Sequence, residues 1–184
     1  TLAFRQELAR QAVLDAITPV ARRELHRRVL AALRTRSSID PARLAHHAEE
    51  ADDPEAVIEF AVAAAEQAAS AGAHRQAAAQ YDRALRFAGE EPPQFRAELL
   101  KRKAHGCFVT GQTMEALEAV RSEISILRSV GDPLQIGDAI SRESRSLWNL
   151  GRNRESFDVL QTAIDLLETQ PPGKELAAAY SYRS

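Results

Sequence analysis

The chain has 184 residues, enough for one ordinary domain or an array of small repeated units. Apolar residues make up 45% and charged residues 27%, the balance of a folded soluble protein rather than a disordered one. A formal net charge of −2 argues against a dedicated nucleic-acid binder, which carries clear positive charge. No run of about 18 apolar residues exists to span a membrane, and the opening residues do not read as a signal peptide. The single cysteine, Cys107, excludes an internal disulfide and fits a reducing cytoplasm, which is the expected location.

Alanine is the most telling residue. There are 34 alanines, against 8 glycines and 8 prolines. Alanine is the best helix former and a poor strand former, so the composition predicts an all-α protein. With aromatics at only 5%, the core has to be built from Ala, Leu, Val and Ile.

In chain order, Phe4 to Ile17 reads as a helix with Leu8 and Ala12 inward. Pro19 opens the next, whose apolar stripe is Leu25, Val29, Leu30 and Leu33. Ser37 to Pro41 is a turn, with Asp40 as N-cap and Pro41 at the first helical position of a helix reaching Ala51. Asp53-Pro54 repeats that cap and starts a helix over Glu55 to Ala69. From there the chain becomes periodic. Gly72, Gly111 and Gly151 mark three short turns, 39 and 40 residues apart. Six residues after each glycine a stripe begins with spacing 3, 4, 3: Ala78, Tyr81, Leu85, Ala88; then Leu117, Val120, Ile124, Leu127; then Phe157, Leu160, Ile164, Leu167. That spacing is the buried face of a helix. Pro92-Pro93, Gly131-Asp132-Pro133 and Pro171-Pro172-Gly173 close each unit.

A period near 40 with two helices per unit predicts a right-handed superhelical solenoid of helical hairpins. The units resemble tetratricopeptide repeats at their small-residue and aromatic positions. Ala65, Gly72, Ala77, Tyr81 and Ala84 follow that pattern in the first unit, and Ala104, Gly111 and Ala116 in the second. Ser144, Gly151 and Ser156 match it more weakly in the third. The expected layout is a helical linker over 1–54, then repeats over 55–93, 94–132 and 133–172. A fourth repeat starts in 173–184 and stops in mid-helix, which predicts that the chain is a fragment of something longer.

The junction residues carry a further resemblance. Phe4-Arg5-Gln6-Glu7-Leu8 with Ala12-Val13, then Arg23 to Val29, then Leu44-Ala45-His46-His47, are similar to the stretch that follows the ATPase core in LuxR-type transcriptional regulators with an AAA-like or STAND ATPase module. Related linkers occur in some adenylate cyclases and protein kinases. The resemblance implies a P-loop ATPase upstream, holding ATP and Mg²⁺, and a helix-turn-helix reading DNA downstream. It implies no cofactor, no catalytic residue and no direct nucleic-acid contact in the present chain. The family's usual His in the Phe-Arg-His triplet is Gln6 here, an amide that can donate a hydrogen bond but carries no charge. No G-x-x-x-x-G-K-[ST] occurs; the only Gly-Lys is Gly173-Lys174, followed by Glu175.

Other clusters read as structural. Neighbours on a helix diverge by about 100°, so His46 and His47 do not chelate together; His46 with Glu49 or Glu50 could, but the sequence shows no second cluster to complete a metal site. Cys107 reads as a small buried residue. The arginines from Arg22 to Arg36 read as a solvated face or a contact with an upstream module. The candidate site is the concave groove lined by the first helix of each hairpin. Repeat register assigns to it Glu98, Lys101, His105 and Phe108 from the second unit, with Asp138, Ser141, Arg145 and Trp148 from the third. Two large aromatics beside three basic groups suit an anionic small-molecule effector or an acidic peptide. Three functions follow: the sensory and coupling module of an ATP-dependent regulator, a peptide-binding adaptor scaffold, or the same module within a signalling enzyme such as an adenylate cyclase. The sequence leaves homo-oligomerisation open.

Overall fold

A computed structural model describes residues 17–36 and 39–183. They form nine α-helices: α1 (Pro19–Arg34), α2 (Pro41–Glu50), α3 (Pro54–Ser70), α4 (His74–Phe87), α5 (Pro93–Val109), α6 (Thr113–Val130), α7 (Pro133–Asn149), α8 (Asn153–Glu168) and α9 (Lys174–Arg183), with one 3₁₀ turn at Ala88–Glu90. Among the described residues there is no strand, and no helix is long and apolar enough to cross a membrane. The helix expected from Phe4, including Gln6, lies outside the described residues apart from Ile17.

Helix starts follow the caps written in the sequence. Thr18, Asp40, Asp53 and Asp132 each accept a hydrogen bond from a backbone N–H of the first turn, and each is followed by a proline at the first helical positions. The cap satisfies an orphan donor, and proline removes another donor where none is needed.

The hairpin turns share one geometry. Gly72, Gly111 and Gly151 have φ of +74°, +76° and +73°. After each, the next amide reaches back to the carbonyl five residues earlier: Ala73 to Ala68 at 2.8 Å, Gln112 to Cys107 at 2.9 Å, Arg152 to Leu147 at 3.0 Å. This left-handed closure reverses the chain and satisfies the last carbonyls of the first helix. The α2–α3 turn uses the same closure without glycine. Asp52 has φ +59° and the Asp53 amide bonds the Ala48 carbonyl at 3.1 Å.

The core is a continuous seam of small side chains. Ala61 and Ala65 of α3 pack with Ala77, Tyr81 and Ala84 of α4 and reach Leu99 of α5. Ala97, Leu100 and Ala104 of α5 meet Val120, Ile124 and Leu127 of α6, then Ala139 and Ile140 of α7. Helices approach so closely that a methyl on Gly106 would stand 2.9 Å from the His74 carbonyl oxygen. The third unit has serines where the first two have alanines. Buried there, the Ser144 and Ser156 hydroxyls lie 3.0 Å apart, and Ser156 Oγ donates to the Ser144 carbonyl at 2.9 Å. The α1–α2 pair stacks on α3 through Leu30, Leu33, Leu44, Ala48, Ala56 and Val57.

Two predicted stripes are only partly buried. Leu30 and Leu33 of α1 are in the core, whereas Leu25 and Val29 are 45% and 37% exposed. Val29 lies about 100° round the helix from Leu30, away from the line through Leu30 and Leu33. Phe157 was expected inside and is 52% exposed. Its counterpart Ala78 is covered by Cys107 and Ala116 of the neighbouring hairpin. On α8, among the described residues, the helix α9 covers Leu160, Ile164 and Leu167 through Ala179 and Leu176, and Phe157 lies beyond that contact.

Nothing lies within 4 Å of a methyl placed on Gly111, so its replacement tests the backbone alone. Gly111→Ala is expected to cost about 1–2 kcal/mol in denaturant unfolding, and Gly111→Asn less, because Asn tolerates the left-handed region.

Candidate functional site

The first helices of successive hairpins, α3, α5, α7 and α9, share a face on which side chains bridge from one hairpin to the next. The residues predicted for the groove fall into two chemically different halves.

One half is electrically closed. Glu98 is exposed and accepts from Arg102 at 2.7 Å, and Arg102 also reaches Glu66 of α3 at 2.8 Å. Lys101 pairs with Asp138 of α7 at 3.3 Å. Asp138 in turn accepts from Arg142, whose guanidinium makes a two-pronged pair with Glu123 of α6 at 2.7 and 2.8 Å. Glu123 is 2% exposed, and burial pushes its carboxyl up from the ordinary range against the pull of Arg142. Lys101 therefore already has a carboxylate partner. Ser141 is not in the groove: it is buried, and its hydroxyl donates to the Gly137 carbonyl at 2.9 Å. The repeat register assigned it to the ligand face, whereas in the fold that position faces inward.

The other half is an aromatic cleft. Phe108 of α5 is half-buried, and the Arg145 guanidinium lies 4.7 Å from its ring centre. The same guanidinium lies 4.9 Å from the ring of Tyr182 on α9 and donates to its hydroxyl at 3.4 Å. Arg145 is thus held between two rings of two other hairpins, an arrangement that keeps its charge while fixing its position. Among the described residues no carboxylate pairs with it. Trp148, one turn further along α7, is 55% exposed and stands edge-on to Phe157 at 6.0 Å between ring centres. These side chains, with Leu160 and Arg183, line a cleft of about 360 Å³. His105 lies outside it, edge-on to His74 at 5.8 Å.

Phe108, Arg145 and Trp148 thus line one cleft. Tyr182 and Phe157 were missed. Tyr182 follows Trp148 by 34 residues, the ordinary tetratricopeptide spacing, whereas the local period of 40 places the equivalent position beyond Ser184. Phe157 was assigned to the core by its stripe. Cys107 is buried as expected, and burial pushes its thiol up, away from thiolate chemistry.

The fold defines the class: a tetratricopeptide-like helical-repeat solenoid. Solved structures of similar fold include BtubC (BKLC) from P. vanneervenii, with TM-score 0.56 and 17% identity over 97% of this chain and 65% of that one. The present chain therefore spans just under two thirds of BtubC. A kinesin light chain type protein with nearly identical TPR-like repeats from Podosopora anserina gives 0.51 and 17% over 90% and 95%. Bacillus thuringiensis PlcR, in complex with the peptide PapR7 and DNA, gives 0.52 and 12% over 99% and 75%. No family model matches the chain, and no curated protein matches it.

The Glu123–Arg142 pair tests how the closed half is held. Glu123→Ala leaves a largely buried guanidinium with only Asp138, and is expected to cost about 2–4 kcal/mol in chemical denaturation. Replacing both partners, Glu123→Leu with Arg142→Met, is expected to cost less than the single change, because neither charge is then left unpaired.

Proposed function

We propose that the cleft between α5, α7 and α9 binds a peptide or protein segment carrying a carboxylate beside an apolar side chain. On this reading the chain is the non-catalytic sensor module of a LuxR-type, ATP-dependent transcriptional regulator, with its ATPase module and DNA-binding domain in cis. The observation that carries the binding reading is Arg145: a guanidinium fixed between Phe108 and Tyr182, with no carboxylate to displace, at the mouth of an exposed aromatic cleft. A bound carboxylate gains a charge-assisted hydrogen bond without breaking an existing ion pair, and little ordering of Arg145 remains to be done. Trp148, Phe157 and Leu160 offer apolar area to the neighbouring side chain. The regulator setting rests on the resemblance of the junction residues 4–47. PlcR, of similar fold, is a repeat protein seen with a peptide and DNA together. The same cleft chemistry would serve a peptide-binding adaptor scaffold, which differs in lacking an upstream P-loop.

Trp148 is the only tryptophan, so its emission reports on the cleft directly. Titration with a panel of short acidic peptides, free-acid and C-terminally amidated, is expected to shift that emission saturably for a subset. Arg145→Glu should weaken those peptides at least about tenfold, and Arg145→Lys by less, since an ammonium stacks and forks poorly. Arg75→Glu, on the exposed side of α4, serves as the control and should change nothing. Equal affinity of wild type and Arg145→Glu, or binding with no response at Trp148, would place the ligand elsewhere.

A further inference from the structure

Three of the five histidines converge at the opposite end of the molecule. His46 and His47 are neighbours on α2, and the sequence offers no further histidine beside them. The fold supplies one: His26 of α1 is brought against both, with ring centres 5.8 Å from His46 and 5.1 Å from His47. One nitrogen from each ring lies within 4.8 Å of the other two. The expectation that adjacent residues on a helix diverge too far to act together does not hold here, because the His46 and His47 rings themselves lie 5.3 Å apart, centre to centre, around His26.

We propose that His26, His46 and His47 form a binding site for a divalent transition-metal cation of the zinc class, clipping α1 to α2. Imidazole nitrogen is the donor that borderline cations such as Zn²⁺ favour, and three such nitrogens with an open fourth position form a common set. In a tetrahedral complex with Zn–N bonds of about 2.0–2.1 Å, neighbouring nitrogens stand roughly 3.3 Å apart. His26 Nδ1 and His47 Nδ1 already stand at 3.2 Å. His46 is the exposed member, so its ring turns without disturbing the core. In the metal-free chain, one of the two close Nδ1 atoms has to carry a proton and donate it to the other. On metal binding, that ring keeps its neutral charge by carrying its proton on Nε2 instead, and both Nδ1 lone pairs face the ion. Burial, then His26 and His46, then Arg43 disfavour positive charge at His47, and Glu50 opposes them.

The place of the cluster says what a bound ion would do. The described part of α1 is held to the solenoid mainly through Leu30 and Leu33, near its C-terminal end. His26 lies a full turn nearer the N-terminus, beside the exposed Leu25. A bond from His26 through a metal to α2 would fix that end of α1, and with it the direction in which the preceding chain leaves the repeats. This proposal is independent of the cleft and its ligand.

The test uses the full chain, free of any affinity tag and stripped with a chelator. Zn²⁺ is titrated against a chromophoric competitor, Co²⁺ is followed by its visible spectrum, and thermal unfolding is recorded with and without Zn²⁺. The expected result is one equivalent bound, a tetrahedral-type Co²⁺ spectrum and a higher Tm with metal. His26→Gln and His46→Gln should each weaken binding at least about tenfold and remove most of the Tm rise. His105→Gln, in the other histidine pair, should leave both unchanged. Circular dichroism confirms that each variant is folded. If the wild type binds no stoichiometric metal, or if a folded His26→Gln chain binds as tightly as wild type, the cluster is only a hydrogen-bonded histidine contact and the proposal fails.

Discussion

The structure depends on how closely its helices can approach. Each hairpin has an apolar face that it cannot bury by itself, and the next hairpin must come near enough to cover it. Alanine makes that possible: Ala65, Ala77, Ala84, Ala104 and Ala116 are all nearly inaccessible, and each stands where helices cross. An alanine methyl contributes little transfer free energy alone, but it lets two backbones and their larger neighbours meet at packing distance. Gly106 and Gly137 extend the same logic, the first against the His74 backbone and the second against Leu167. Where serine replaces alanine, at Ser144 and Ser156, the added hydroxyls are satisfied by one another and by a backbone carbonyl. A buried polar atom is tolerated only because its partner is buried with it.

Close stacking also decides the electrostatics of the shared face. With successive first helices side by side, long charged side chains reach from one hairpin to the next. Through the middle of the solenoid, acids and bases alternate: Glu66, Arg102 and Glu98 form one chain, and Lys101, Asp138, Arg142 and Glu123 another. Each cation there is matched, so an anionic ligand would have to compete with a resident carboxylate. Towards α9 the composition changes. The neighbours of Arg145 are Phe108 and Tyr182, and an aromatic face holds a guanidinium without neutralising it. The difference between an ion-pair lattice and an open aromatic cleft thus comes down to which residues stand one hairpin away.

The N-terminal end carries the same stacking with fewer contacts. The α2–α3 turn copies the hairpin closure with Asp52 in place of glycine, and α1 contributes two buried leucines. Around them lie the histidine cluster and ion pairs between α1 and its surroundings, Arg23 with Asp52 and Arg34 with Glu59. These are exposed pairs, which contribute little stability individually. This end of the molecule is accordingly where a bound ion would have the largest effect on helix position.

What the sequence determined by itself is everything that depends on near neighbours along the chain. Caps, proline starts and left-handed glycines are local, so the helix boundaries from Pro19 onward were legible to within a residue or two, from Asp40-Pro41 to Gly151. The 3, 4, 3 stripes at Leu117 to Leu127 and Leu160 to Leu167 were legible because a helix face repeats whatever lies against it. The tertiary structure alone decided what each face meets. Ser141 and Phe157 illustrate both directions of error: repeat register assigned one to the groove and the other to the core, and the packing reversed them. Tyr182 joined the cleft through a spacing different from that of the earlier units. His26 met His46 and His47 across 20 residues of chain and a helix reversal. No periodicity encodes such meetings, because they are set by the rotation and depth at which one hairpin settles on the next.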